Sequence, residues 1–143
     1  MIDPDKLKQR IEKARIAKQR SYDRMINKKK GDNYGYKLMD GSYNLKEGVV
    51  KISAANTLDH EMAKCKICWL LNSQRIKFFT EVIFKNHKGR ADIFCPQTQV
   101  AYEVLHTESI AKFNEVKIKN YPEMIEVIPL KSKDILSKEF EMI

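Results

Sequence analysis

Two regimes of hydrophobic spacing divide the chain. Across residues 3–30 apolar side chains come thinly, at Leu7, Ile11, Ala14, Ala17 and Met25, which is one narrow helical stripe among polar and basic neighbours. Asp3 before Pro4 supplies the start of this helix: a capping side chain, then a residue whose missing N–H costs nothing in the first turn. The run Lys28, Lys29, Lys30 before Gly31 marks its end. A helix with so little to bury packs on the body of the protein, on a second copy, or becomes ordered on a polyanion. Residues 31–48, rich in Gly, Asn and Tyr, read as a connector with a small hairpin. Asp40 and Gly41 would form its turn, between residues 36–39 and 42–45.

From Thr57 the pattern becomes that of a packed domain. Thr57 can cap a helix running to about Asn72, with Leu58, Met62, Cys65 and Trp69 as its apolar face. Ile67, Leu70 and Leu71 lie elsewhere around it, so the helix should be buried on more than one side. Strand-like runs follow at residues 78–84, 90–95 and 100–105, punctuated by Gly89 and Pro96. A helix over 108–120 stops before Pro122, a fourth strand spans 124–130, and a short helix spans 133–140. The order α-β-β-β-α-β-α predicts an α/β (α+β) domain over residues 56–143, with residues 1–55 as basic helix and connector.

Charge sharpens this division. The chain carries a formal net charge of +8, yet residues 1–31 hold 11 Lys/Arg against 4 Asp/Glu, a net of +7. Such an arm seeks a polyanion, and nucleic acid is the first candidate because phosphate contacts from Lys and Arg dominate its binding. Lys13, Lys18, Arg20, Arg24, Lys28, Lys29 and Lys30 are the arm residues placed in this role. No stretch approaches the roughly 20 apolar residues of a membrane helix, and no apolar region follows the N-terminal charges. A cytoplasmic, intracellular protein without a membrane partner is expected. Three cysteines argue against a disulfide framework. The Cys65-x-x-Cys68 pair lacks a second half, so buried small hydrophobes are the better reading than a zinc site.

The chemistry sits in the middle strands. RADIFC and VAYEVL are near-continuous apolar runs, each with one acid inside, Asp92 and Glu103. A buried carboxylate is costly unless paired or bound to a metal, and two on adjacent strands repel each other. A divalent cation between them resolves both problems, and oxygen ligands suit Mg2+ or Mn2+. Glu81 precedes Asp92 by the same 11 positions that separate Asp92 from Glu103. Glu61, at the border of the helical stripe, is a further acid that could complete the shell; a salt bridge is the competing reading for both. His60 and Lys64, at i and i+4, share one helix face and either meet phosphate or cap the surface. His87 reads as an exposed turn residue, and Phe78, Phe79, Phe84, Phe94 and Tyr102 as core.

The segments DHEMAKCKICWLL, TEVIF, GRADIF, YEVLHTES and NYPEMIEVIPL, over about residues 59–130, resemble the PD-(D/E)XK nuclease superfamily. Within it they are most similar to the competence-protein nucleases and the Holliday-junction-resolvase-like members. The resemblance implies a restriction-endonuclease-like αβββαβ core with a central mixed sheet flanked by helices. It also implies a Mg2+-dependent endodeoxyribonuclease acting on branched or foreign DNA, with Asp92, Glu103 and Glu81 or Glu61 at the metal. Arg90, His60 and Lys64 would touch nucleic acid, and the small size fits a homodimer. The sequence departs from the family pattern where its lysine belongs: Leu105 stands two residues after the second acid. Lys112, Lys117 or His106 would take that role, or the domain would be a non-catalytic DNA-binding module on the same fold.

Overall fold

The computed structural model describes residues 3–28, 34–41, 45–137 and 140, with backbone alone for 21–28 and 34. Helix α1 spans Pro4–Lys28, and α2 is the short Tyr34–Leu38. Helix α3 spans Leu58–Ser73, and strands β1 Phe79–Ile83, β2 Arg90–Cys95 and β3 Val100–Leu105 follow. Helix α4 is Ile110–Val116, continued by a 3-10 turn at Ile118–Asn120. Strand β4 is Glu126–Lys131 and α5 is Ser132–Ile135. The strands form one mixed sheet in the order β1-β2-β3-β4, antiparallel except for the parallel β3–β4 pair. That parallel pair needs a crossover, and α4 supplies it.

Both faces of the sheet are covered. On one, Ala63, Ile67, Cys68 and Leu71 of α3, Leu7 of α1 and Ile135 of α5 pack over Ile93, Cys95, Val100, Tyr102 and Val104. On the other, Phe113 of α4 and Tyr121 pack with Val82, Phe84, Phe94, Ala101 and Leu105, and Met39 closes that layer. Double burial explains why β2 and β3 are continuous apolar runs. The aromatic residues assigned to the core, Phe78, Phe79, Phe84, Phe94 and Tyr102, are all buried, and His87 is exposed.

Two expectations are corrected, and one open choice is decided. The first arm of the expected hairpin is not extended, and residues 42–44 of its second arm lie outside the described residues. Residues 34–38 are helical, and the chain beyond them bridges β1, with Met39 opposite Phe84 and the Asp40 N–H on the Ile83 carbonyl. The basic helix packs on the body, one of the three arrangements its thin apolar stripe allows: Leu7 is inside the main core, and Arg10 pairs with the buried Asp134. The face of α3 turned to the sheet is not the one its apolar spacing indicates. Leu58, Met62 and Trp69 are exposed, while His60, Glu61 and Lys64 are buried.

Candidate functional site

The site forms where the pleat of the sheet slips. Along β2, Ile93 and Cys95 face the α3 layer while Ala91 and Phe94 face the α4 layer, so the alternation changes phase between Ala91 and Ile93. On β1, Phe79 and Val82 share the α4 layer in the same way. The slip falls at Glu81 and Asp92, which lie between the paired positions Thr80 with Ile93 and Val82 with Ala91. Glu81 takes φ +54°, the left-handed region that a branched or long side chain seldom enters. Such a conformation costs of order 1–3 kcal/mol and persists only where its surroundings impose it. Here they do. The Glu81 Oε1 accepts from Lys64 Nζ at 2.9 Å, on α3, and its other oxygen lies 3.9 Å from Arg90.

The second discontinuity lies between β2 and β3. Their ladder ends with Ile93 opposite Tyr102. At the next step carboxylates replace carbonyls as acceptors: the Asp92 N–H donates to Glu103 Oε1 at 3.2 Å, and the Val104 N–H donates to Asp92 Oδ2 at 2.8 Å. Both acids therefore sit in the opening between two strands, each accepting from a backbone N–H of the other's strand. The Tyr121 hydroxyl lies 2.8 Å from Glu103 Oε1 and 3.0 Å from the Arg90 carbonyl, and it has one proton to give. Gly89 makes room for this ring: a Cβ there would fall 2.9 Å from Tyr121 Cδ1 and 2.8 Å from the Asn120 carbonyl oxygen.

Behind the pair lies a charged network carried by α3. Thr57 caps the helix through the His60 N–H, which fixes its first turn over the strand ends. His60 Nε2 is 3.3 Å from Asp92 Oδ2 and Nδ1 is 2.9 Å from Glu61 Oε1. With an acceptor at each ring nitrogen the doubly protonated form is favoured. The hydrogen bond to Asp92 holds the imidazole above its ordinary value against the pull of burial, and Glu61 adds to it. Lys64 is fully buried, with Nζ 2.7 Å from Glu61 Oε2 and 2.9 Å from Glu81 Oε1. Burial lowers its pKa, but these two carboxylates more than offset that and leave it raised. Burial alone would raise the Glu61 carboxyl. Lys64, Asn56, His60 and the Ser53 N–H outweigh it and bring the group down to about 2.

Glu103 behaves oppositely. Burial first, and then the charge of Asp92, hold its carboxyl well above the usual range. The groups that hold it, a phenol and an amide, are both neutral. The pair thus sets carboxyl oxygen donors side by side at the floor of a cleft of about 440 Å3, with burial and mutual repulsion opposing full charge on both. Asp92, Glu103, His60, Arg90, His106 and Lys117 all line this cleft, with Lys88, which the sequence reading missed. His106 Nδ1 lies 3.3 Å from Ser132 Oγ, and Lys117 pairs with Glu108 at 2.7 Å.

The other assigned residues are not brought to the cleft lining. Glu61, Glu81 and Lys64 stand behind it in the network, so Lys64 meets carboxylates in place of phosphate. Lys112 is exposed, and its N–H binds Ser109 Oγ. Lys13 and Arg20 are exposed on α1, whereas Lys18 reaches Gln74 at 3.1 Å. Arg24 and Lys28 lie on α1 where only the backbone is described, and Lys29 and Lys30 fall outside the described residues. Leu105, at the place of the family's lysine, packs with Phe113 and Tyr121. Tyr121 and Asn56 were also missed; the only sequence signal for Tyr121 is a tyrosine before a proline at a strand entrance.

Among the described residues, no group of three or more His, Cys, Asp and Glu side chains is arranged to hold an ion. Two acids nonetheless fit a hard cation of the Mg2+ type, which takes one or two carboxylates from protein and leaves its other positions to water and substrate phosphate. No helix of the described residues is long and apolar enough to cross a membrane. No family model, curated protein or solved structure matches the chain.

Proposed function

We propose that the protein is a divalent-metal-dependent endonuclease acting on DNA, with a restriction-endonuclease-like core of the PD-(D/E)XK kind. The observation that carries this reading is the opening between β2 and β3, where Asp92 and Glu103 meet beneath a cleft rimmed by Lys88, Arg90 and Lys117. The sheet order, with its single parallel pair after α4, agrees with the core that the sequence resembles.

Asp92 and Glu103 would hold Mg2+ or Mn2+. Bound there, the ion supplies a Lewis acid for the phosphate and a more acidic water. Tyr121 fixes the Glu103 carboxylate through its hydroxyl, and His60 fixes Asp92. Lys88, Arg90 and Lys117 offer positive charge for the phosphates on either side of the cut bond. Among them they can supply the charge that the family's lysine would give.

The test is cleavage of supercoiled plasmid and a labelled four-way junction, with Mg2+, with Mn2+ and with chelator, beside Asp92→Ala and Glu103→Ala. Metal-dependent cutting lost in both variants is expected. Cutting that survives both substitutions overturns the assignment. A wild type that binds DNA and cuts nothing favours the second reading, a non-catalytic DNA-binding module. Leu105 is the observation behind that alternative, because it is built into the core and cannot stand in for an ammonium group.

A further inference from the structure

A second cavity, of about 480 Å3, opens at the β4 edge of the sheet, where the first turns of α1, the start of α4 and the β4–α5 junction meet. Four cationic side chains line it: Lys6 and Arg10 of α1, Lys131 at the end of β4 and Lys133 of α5. Two acids are there as well, Asp3 and Asp134. Asp3 Oδ1 accepts the Asp5 N–H at the head of α1, and the buried Asp134 takes Arg10. Lys131 Nζ donates to the Glu108 carbonyl at 2.6 Å, a neutral acceptor that leaves the ammonium charge uncompensated. Lys6 and Lys133 are exposed and pair with no acid among the described residues. Three ammonium groups from three elements thus converge on one cavity, against a single carboxylate, Asp3, that no base neutralises among the described residues. Side chains of one sign around a concave site focus their field on it. The Ser109 hydroxyl joins them: its oxygen accepts the Lys112 N–H, and its proton can be given to a ligand.

We infer that this cavity is a phosphate subsite, which holds a backbone phosphate of the DNA strand whose scissile bond lies over Asp92 and Glu103. The subsite depends on the nucleic-acid reading of the cleft. One stretch of chain joins the two: Glu108 lines the cleft and the next residue, Ser109, lines the cavity. Glu108 is tied to a base on each side, through its carboxylate to Lys117 at 2.7 Å and through its carbonyl to Lys131. The sheet register sets the spacing. Glu103 stands opposite Pro129 and Leu105 opposite Lys131. The backbone of Lys131 therefore lies about 8 Å from that of Glu103, two residues along at about 3.3 Å each and one strand across at about 4.8 Å. Nucleotides of a duplex strand rise about 3.4 Å each, so a strand that passes over Glu103 reaches the cavity within a few steps. It is then led onto the first turns of α1, the end of that helix anchored in the core by Leu7. A phosphate, with several oxygens and a full negative charge, suits three ammonium groups, a guanidinium edge and a hydroxyl; a single carboxylate would leave most of these donors unused.

The experiment follows the backbone amides of the full chain by NMR in a buffer with chelator, with a short DNA duplex as one probe and inorganic phosphate as the other. With DNA, the amides of Ser109, Ile110 and Lys133 should shift together with those of Gly89 and Arg90 in the cleft and saturate at the same concentration. Inorganic phosphate should move the Ser109, Ile110 and Lys133 set saturably, at far higher concentration. Lys6→Gln combined with Lys133→Gln should abolish the cavity response to both probes and keep the cleft response to DNA. Both lysines are exposed, so the spectrum elsewhere should be unchanged. The double variant should also lower the slope of log affinity against log salt by about 2, and the affinity on the order of tenfold per lysine at about 0.1 M salt. A duplex that moves the cleft amides and leaves the cavity amides in place overturns the subsite alone, as does a folded double variant with the wild-type salt slope. Cavity amides that answer to inorganic phosphate while DNA moves only the cleft make this a pocket for free phosphate and overturn its place on the strand. A duplex that moves neither set overturns the subsite together with the nuclease reading.

Discussion

Replacing Lys64 with methionine keeps the volume and removes one charge from the centre of the network. The ammonium is fully buried and touches two carboxylates, Glu61 at 2.7 Å and Glu81 at 2.9 Å. Breaking a buried ion pair from one side costs about 3–5 kcal/mol, because the remaining charge stays buried without its partner. Asn56, His60 and the Ser53 N–H still hold Glu61, and Arg90 remains 3.9 Å from Glu81, so the lower end, about 3 kcal/mol, is expected. Linkage gives a similar size: a carboxyl brought from 4.5 down to about 2 contributes on the order of 3 kcal/mol at neutral pH, shared among its partners. The sign follows from the direction of that shift. Glu61 is depressed in the folded protein, so its contribution is complete above its unfolded value near 4.5 and is lost as pH falls toward about 2. In the variant, burial acts on Glu61 without the lysine and raises its carboxyl, so a proton binds earlier and relieves the buried charge. Urea unfolding of both proteins at neutral pH and at about pH 3 should therefore show a gap that narrows in acid. A neutral-pH gap below about 1 kcal/mol, or one that is constant or wider in acid, would refute the assignment of Lys64 as the centre of the network.

Gly89→Ala should destabilise by about 1–3 kcal/mol in thermal unfolding, since the new methyl meets the Tyr121 ring at 2.9 Å and a backbone oxygen at 2.8 Å; a melting temperature equal to the wild type would mean that Tyr121 can move freely. Deleting the arm would also remove Leu7 from the core, so its DNA role is better tested with Lys13→Gln and Arg20→Gln. Removing one phosphate-binding charge should reduce the slope of log affinity against log salt by about 1, and an unchanged slope in the double variant refutes the arm's role. Leu105→Lys, on the nuclease reading, should raise the rate of metal-dependent nicking while lowering the unfolding midpoint, because a core side chain becomes charged; a folded variant with no gain in nicking would show that Lys88, Arg90 or Lys117 already does that work.

Strands β2 and β3 are legible to the residue, because burial on both faces leaves an unbroken apolar run and Gly89 and Pro96 mark the breaks. The acids inside them are legible for the same reason: a single carboxylate in such a run has few ways to be stable. Helix α4 is shorter than its apolar spacing indicates. Ser109 caps it through the Lys112 N–H, and after Val116 the chain tightens into a 3-10 turn, where the stripe of apolar residues continues although the hydrogen bonding changes. The left-handed conformation of Glu81 has no sequence signal. Nothing in TEVIF departs from an ordinary strand, and the conformation is imposed from outside by Lys64, 17 residues away.

The misreading of α3 and the location of the site have one cause. Hydrophobic spacing assigns Leu58, Met62, Cys65 and Trp69 inward because it counts His, Glu and Lys as outward groups. That count fails when polar side chains neutralise one another. His60, Glu61 and Lys64 bond to each other, to Asp92 and to Glu81, and among the described residues no buried side-chain nitrogen or oxygen lacks a partner. The helix is thereby turned so that His60, Glu61 and Lys64 close the opening in the sheet beside the buried Ala63, Ile67, Cys68 and Leu71, and the row Leu58, Met62 and Trp69 is left in solvent. Local rules are broken together here, in a buried charged network, a left-handed strand residue, an interrupted ladder and an exposed apolar row, and such concentration is the mark of a site kept for its chemistry.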